Sequence, residues 1–226
     1  MMKVAVLFSG GKDSTRTVHW CLEKGYNVKY LINFVPKNKD SYMFHSVNLE
    51  MTKLAAKAIG IKIKQFDVSG EKEVEVEEMG KTIEKLDVDA IACGGIKSDY
   101  QKQRIEKSCA NCGKKMIAPF WHYDEEKFMR ELIDLRFKVI ITSVSSLGLT
   151  KNWLGREIDY TTVDELIKLN KKYGLSIVFE GGEGETLAVD GPIFKKRIEI
   201  LESRKIWDDK TSSGIFQVLK ARLANK

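Results

Sequence analysis

The sequence predicts an α/β protein in which a doubly wound parallel sheet is followed by a smaller α+β domain. Three observations carry that expectation. Short apolar runs of strand length alternate with segments of helical period through the first half of the chain. Glycines punctuate the segment ends at Gly10-Gly11, Gly25, Gly60 and Gly94-Gly95. The texture then changes near Cys112-Gly113-Lys114-Lys115 and Pro119, beyond which helices and strands mix without that alternation. The chain of 226 residues can form one large domain or two modest ones. The expected division is 1–117 against 118–226.

Val4 to Phe8 is a buried strand that stops at Ser9-Gly10. Thr17, Val18, Trp20, Cys21 and Leu22 recur at helical spacing, with Gly25 as the C-terminal cap. Val28–Phe34 is a second strand, and Leu49–Ile59 a helix with Leu54, Ala55 and Ala58 on one face. Ile61–Phe66 alternates as a more exposed strand. Glu71–Leu86 is a charged amphipathic helix, Ala90–Cys93 a buried strand, and the stretch from Ser98 to Cys109 a helix. Four strand–helix units in succession imply parallel strands, right-handed crossovers and helices on both faces. Ligands of such sheets bind beyond the carboxyl ends of the strands, where the strand order reverses. Ser9, Asn33 and Gly94 are expected there. In the second domain, helices are expected at Glu125–Phe137 and Val163–Tyr173, and strands at Val139–Val144, Ser176–Phe179 and Lys195–Leu201.

Composition narrows the function classes. The chain is 43% hydrophobic with three prolines, so long disorder is excluded. No apolar run reaches the roughly 20 residues of a spanning helix, and Val4–Phe8 is shorter than a signal-peptide core of about 7–15 residues. No membrane role and a cytoplasmic setting are therefore expected. Four cysteines are too few for a disulfide framework in a chain of this length. The net charge of +6 permits an anionic partner, but the charges are interspersed, which favours a solvated surface over a nucleic-acid face.

Ser9-Gly10-Gly11-Lys12-Asp13-Ser14 joins a buried strand to a helix. Adjacent glycines let the backbone turn tightly and bring its N–H groups close to an anion. The helix N-terminus adds about half a positive charge, Lys12 a full one, and Ser9 and Ser14 hydroxyl donors. This is chemistry for a phosphate chain. A Walker A loop is excluded because Asp13 follows Gly11-Lys12 and Val6 stands where the first glycine belongs; G-x-G-x-x-G is absent too.

The loop resembles the S-G-G-x-D-S signature of the N-type ATP pyrophosphatases, whose sheet is of the adenine nucleotide alpha hydrolase-like (HUP) kind. The resemblance implies cleavage of ATP to AMP and pyrophosphate, with Mg2+ shared by the phosphate oxygens and Asp13 placing the metal or holding the loop. Lys12 and Asp13 are then catalytic candidates.

Phe179-Glu180-Gly181-Gly182-Glu183-Gly184-Glu185-Thr186-Leu187 is the second unusual segment. Read by spacing, it is equally a solvated glycine-rich hairpin or an acidic loop for a cation. It also resembles the G-E-G-G-E-x-E-T-L hallmark of the diphthine–ammonia ligases, with Phe179 where that family often has glycine. Asp40–His45, Gly94–Glu106 and Asp164–Asn170 are similar to the same family in the same order. The resemblance implies ATP-dependent amidation of diphthine on translation elongation factor 2 with ammonium. It makes Glu183 and Glu185 catalytic candidates and Glu180, Gly182, Glu183, Glu185 and Thr186 substrate contacts. Tyr42 and His45 fall near the substrate entrance, although composition alone reads that stretch as a loop and helix start. Gly94, Gly95, Tyr100 and Arg104 join Asn33 as nucleotide contacts. Tyr100 and Arg104 stand one helical turn apart, and arginine bonds phosphate in bidentate fashion.

Cys109-Ala110-Asn111-Cys112 lacks a clean fourth zinc ligand even if His122 is counted, and a structural pair is the simpler reading. His19 and Cys93 read as packed residues. Two other functions stay open: a tRNA-thiolating ATP pyrophosphatase using these cysteines, and a non-catalytic adenine-nucleotide sensor. The sequence leaves a homodimer open.

Overall fold

A computed structural model of the chain describes residues 1–37, 49–71, 73–97 and 99–226, the side chains of Leu49, Tyr100 and Gln101 excepted. Tyr42 and His45 lie outside the described residues. The chain divides into two compact units. One comprises Met1–Ser9, Asp13–Lys57 and Ile61–Trp121; the other comprises Gly10–Lys12, Ala58–Gly60 and His122–Lys226.

The first unit follows the expected alternation. Its elements are β1 (Lys3–Leu7), α1 (Lys12–Glu23), β2 (Asn27–Pro36), α2 (Leu49–Ile59), β3 (Ile63–Val68), α3 (Val74–Glu84), β4 (Ala90–Ala92), α4 (Asp99–Asn111) and β5 (Lys115–Ile117). Among the described residues the strands form a five-stranded sheet in the order β3-β2-β1-β4-β5, every pairing parallel. The order reverses between β1 and β4, so the switch point lies beyond Leu7 and Ala92, as expected for a doubly wound sheet. Strands buried on both faces read as unbroken apolar runs, which is why Val4-Ala5-Val6 and Ala90-Ile91-Ala92 show no alternation. Ala5, Ile32, Phe34, Met79, Ile83 and Ile91 pack as one core cluster, which ties α3 to the sheet.

Two features of this unit depart from the sequence reading. β2 runs on to Pro36, so Asn33 is an internal strand residue rather than one beyond the strand end. β5 was not among the expected strands; Lys115–Ile117 pair in parallel with Ala90–Ala92, within the 1–117 stretch assigned to the first domain.

In the second unit, α5 (Glu125–Asp134), β6 (Lys138–Val144), α6 (Tyr160–Tyr173), β7 (Gly184–Asp190), β8 (Arg197–Asp208) and β9 (Ser213–Ala224) follow in chain order. An antiparallel sheet orders them β7-β6-β9-β8 among the described residues. Val139–Val144 thus belongs to this sheet, as expected of a second-domain strand. Asp124 caps α5 by accepting from Lys127 N at 2.7 Å, and Asp159 caps α6 by accepting from Thr162 N at 2.7 Å. Gly174, at φ 74°, ends α6.

The strand expected at Ser176–Phe179 is absent; those residues form turns. Ser176 N and Ile177 N donate to carboxylates and Val178 O accepts from a lysine, so their ladder positions are occupied by side chains. Phe179 also has φ 63°, incompatible with a strand.

Gly94 shows how tightly the switch point is built. A Cβ there would lie 2.6 Å from Asp13 C and 2.9 Å from Ser14 N, both backbone atoms, whereas a Cβ at Gly95 would meet nothing within 4 Å. Gly94→Ala should therefore cost about 1–3 kcal/mol by overpacking, and Gly95→Ala should stay within about 0.5 kcal/mol. Urea unfolding of the two variants checks the contrast; equal losses would refute the packing argument.

Candidate active site

The turn after β1 is braced from several sides. Ser9 and Ser14 hydroxyls lie 3.2 Å apart, and Ser9 N donates to Ser14 Oγ at 3.3 Å. Thr52, on α2, donates its hydroxyl to Ser9 O at 2.8 Å. Thr17 does the same to Asp13 O at 2.8 Å, holding the first turn of α1. Gly10 adopts φ 84°, a conformation that favours glycine. Asn33 works beside this turn rather than in its mouth. Its amide donates to Phe8 O at 3.1 Å, and its Oδ1 accepts from Gln65 Nε2 at 3.0 Å. Asn33 thus tethers the end of β1.

Gly10–Lys12 count with the second unit. Ala188 N donates to Gly10 O at 2.9 Å, and Lys12 N donates to Thr186 Oγ1 at 3.1 Å. The Lys12 side chain is only 2% exposed. Its ammonium donates to Val178 O at 2.5 Å and lies 5.8 Å from the Phe179 ring centroid. Thr186, an expected substrate contact, holds the Lys12 backbone through its hydroxyl oxygen.

The acidic segment is an ordered turn running into β7. Glu183 accepts from Ser176 N at 2.7 Å through Oε1 and from Gly181 N at 2.8 Å through Oε2. Ser145 N donates to Glu183 O at 2.8 Å, and Ser145 Oγ donates to Gly182 O at 2.6 Å. Glu125, at the start of α5, accepts from Ile177 N at 3.0 Å and Ser176 Oγ at 3.2 Å. Gly182 has φ 82°. Glu180 and Glu185 are half-buried on the same turn and strand.

Arg104 sits on α4 and pairs with Glu73, its Nε 3.1 Å from the carboxylate. A phosphate would have to compete for that guanidinium. The backbone of Tyr100 is in α4. Sequence reasoning missed Glu125, Val178 and Ser145, since none carries a local pattern that separates it from an ordinary helix start, core residue or loop serine.

Cys93 and Cys109 belong to the core beside β4 and α4, with Cys112 packed against it. Burial pushes the Cys109 thiol up to about 12, and the neighbouring Cys112 and Cys93 act in the same direction. Such a thiol is a poor nucleophile at neutral pH. His19 is buried too, its Nδ1 2.9 Å from Arg16 Nη1, and burial lowers its pKa.

Residues 2–116 match the model of the diphthamide synthase N-terminal domain, and residues 124–224 match that of the C-terminal domain. The chain belongs to the diphthamide synthase family. As a family member it is 33% identical over 228 residues to the diphthine–ammonia ligase of Homo sapiens, covering 91% of this chain and 85% of that one. Against the diphthine–ammonia ligase of Schizosaccharomyces pombe it is 31% identical over 245 residues. That alignment spans all of this chain but only 40% of the relative's length. Among solved structures, a predicted subunit of tRNA methyltransferase from Methanocaldococcus jannaschii aligns at TM-score 0.47 and 20% identity, covering 85% of this chain and 98% of that one.

Within this diphthamide synthase family member, Phe179 stands at a left-handed backbone position, where glycine carries no steric cost. Phe179→Gly should therefore be more stable than Phe179→Ala by about 0.5–1 kcal/mol, reversing the usual order of the two residues. Urea midpoints of the two variants test this. Iodoacetamide near pH 8 should label half-buried Cys112 well before Cys109, as peptide mass mapping would read; equal labelling would contradict the raised Cys109 value.

Proposed function

We propose that this chain is an AMP-forming ligase that amidates diphthine with ammonium, in keeping with the names of its relatives. The observation that carries the reading is the braced Ser9–Ser14 turn, with Lys12 at its centre, in a chain of which both parts match the family. Elongation factor 2 carrying the diphthine, and a cytoplasmic setting, belong to the same proposal. Among the described residues, no helix is long and apolar enough to cross a membrane.

ATP is the substrate that suits the turn. Gly10 and Gly11 let the backbone approach phosphate oxygens, Ser9 and Ser14 offer hydroxyls, and the N-terminus of α1 adds its partial charge. A substrate carboxylate attacks the α-phosphorus, and the bond to the β-phosphate bridge oxygen breaks, releasing pyrophosphate. Lys12 and the loop N–H groups stabilise the charge gathering on that leaving group. Ammonia then displaces AMP from the acyl carbon, and one proton is lost as the amide forms. Gly94, Gly95, Tyr100 and Arg104 are the proposed nucleotide neighbours beyond β4.

Mg2+ fits this chemistry with Asp13 as a protein contact. No group of three or more His, Cys, Asp or Glu side chains among the described residues is arranged to hold a metal ion. Mg2+ commonly relies on phosphates plus one or two carboxylates rather than on a protein cage. Once bound, it neutralises charge on the departing phosphate.

A carboxylate complements a cation, and diphthine carries a trimethylammonium group while ammonium supplies the nitrogen. Glu180 and Glu185 are proposed to meet these cations, and Tyr42 and His45 are proposed as further substrate contacts. RNA thiolation is the weaker reading, because the buried Cys109 thiol lacks the thiolate character that sulfur transfer needs.

With ATP, ammonium and the unamidated factor, the products should be AMP and pyrophosphate, and the factor's mass should shift by OH replaced with NH2. Appearance of ADP and orthophosphate, or an unchanged mass, would sink the proposal. Lys12→Ala should lower kcat by about a hundredfold or more while circular dichroism stays native.

A further inference from the structure

In the sequence, Glu180, Glu183 and Glu185 look interchangeable. In the folded chain each carboxylate oxygen of Glu183 receives a backbone N–H, from Ser176 at 2.7 Å and Gly181 at 2.8 Å. Charge-assisted bonds of this kind are among the stronger ones in proteins. They are also fixed in place, because a backbone N–H cannot rotate to a new acceptor when a ligand arrives.

The two bonds close a turn around the residues that face Lys12. Glu125 anchors the same turn at Ile177 N, 3.0 Å away. Between the Ile177 and Gly181 anchors lie Val178, whose carbonyl accepts from the Lys12 ammonium, and Phe179 at φ 63°. That left-handed phenylalanine persists only if the surrounding bonds over-determine it. Gly181 is part of the same device. A Cβ there would lie 2.7 Å from Glu183 Oε1, so glycine is what lets the carboxylate reach both N–H groups.

We propose that Glu183 is a positioning residue: its carboxylate folds the 176–182 turn and so holds the Val178 carbonyl on Lys12, and it does not itself receive the ammonium. This deepens the ligase reading and rests on it for the kinetic outcome alone. Recognition of the cationic nitrogen then falls to the other carboxylates of the segment, of which Glu185 is the one tested.

The test uses the full chain and three variants: Glu183→Gln, Gly181→Ala and Glu185→Gln. Glutamine keeps the size of the side chain but turns a donor toward one of the two N–H groups. Gly181→Ala keeps every charge and displaces the carboxylate by sterics alone. Amide hydrogen exchange is followed over residues 174–184 without ligand, with β6 as an internal reference. Steady-state kinetics are followed against ammonium. In both Glu183→Gln and Gly181→Ala, exchange at Ser176 and Gly181 should quicken by about tenfold, as expected from losing one charge-assisted hydrogen bond, with β6 unchanged. The kcat should fall by about tenfold or more while the KM for ammonium moves by no more than about twofold, the pattern of a misplaced transition-state group. Glu185→Gln should leave exchange unchanged and raise the ammonium KM. Unaltered exchange in Glu183→Gln would overturn the proposal, as would a raised ammonium KM with full kcat at saturation. If the wild-type chain shows no ammonium-dependent turnover, the ligase reading fails, and the exchange result still decides the role of Glu183.

Discussion

A lysine ammonium almost wholly withdrawn from water must be given an acceptor, and at Lys12 that acceptor is the Val178 carbonyl. Much of the second unit's irregular structure follows from this one bond. A carbonyl aimed at a side chain cannot also join a ladder, so the apolar stretch Ile177-Val178-Phe179 forgoes strand pairing. Ile177 N then takes the Glu125 carboxylate as its acceptor and Phe179 N takes Ser176 O, while Glu183 accepts from Ser176 N and Gly181 N on either side of the stretch. Phe179 takes a left-handed conformation to turn the chain, and its ring lies under the ammonium at 5.8 Å. A cation over an aromatic face is held by the ring quadrupole without a hydrogen bond. A phosphate approaching Lys12 would therefore meet a cation already oriented, which lowers the entropy of organising the site.

The first unit was legible because burial on both faces of a parallel sheet writes itself into sequence as apolar runs broken by glycine. β1, β2 and β4 carry that mark, and so does the loop after β1. What failed to show were interactions made at long sequence separation. β5 is three residues long and is a strand only because Ala90–Ala92 lie beside it. β9 contains Lys220-Ala221-Arg222-Leu223-Ala224, residue types that suit a helix in isolation, yet it pairs with β8 along its length. Strand preference depends on neighbours more than on the residue itself. Ser176–Phe179 erred the other way, a largely apolar run three of whose backbone groups are paired with side chains up to 166 residues distant.

The candidate site divides along the same line. Its residue types and approximate place were readable, since adjacent glycines, a lysine and two serines between a buried strand and a helix have few structural uses. Their division of labour was not. Asn33 was placed among the nucleotide contacts, and its amide also bridges Phe8 O, just after β1, and Gln65 of β3. Thr186 was placed among the substrate contacts, and its hydroxyl also accepts the Lys12 N–H. Gly94 was expected beyond the end of a strand among the nucleotide contacts, and the nearest atoms to its missing Cβ are the backbone of Asp13 and Ser14. In each case a residue beside the reacting groups serves the frame that holds them.

That pattern has a physical reason. A turn that receives a polyanion must keep several N–H groups and one or two cations aimed at a point before the anion arrives, or binding energy goes into ordering the turn. Glycines alone would leave it too mobile, because each gives the backbone freedom in both halves of φ space. Stiffness must come from outside the turn, and here every brace is a short polar bond to a named partner: Thr52 on Ser9, Thr17 on Asp13, Thr186 on Lys12, Ala188 on Gly10. Three of the four are threonine hydroxyls, whose branched side chains are restricted at χ1 and so hold their oxygen in place. A preorganised cradle for a phosphate chain is thus built less from its glycines than from the stiff residues that deny those glycines their freedom.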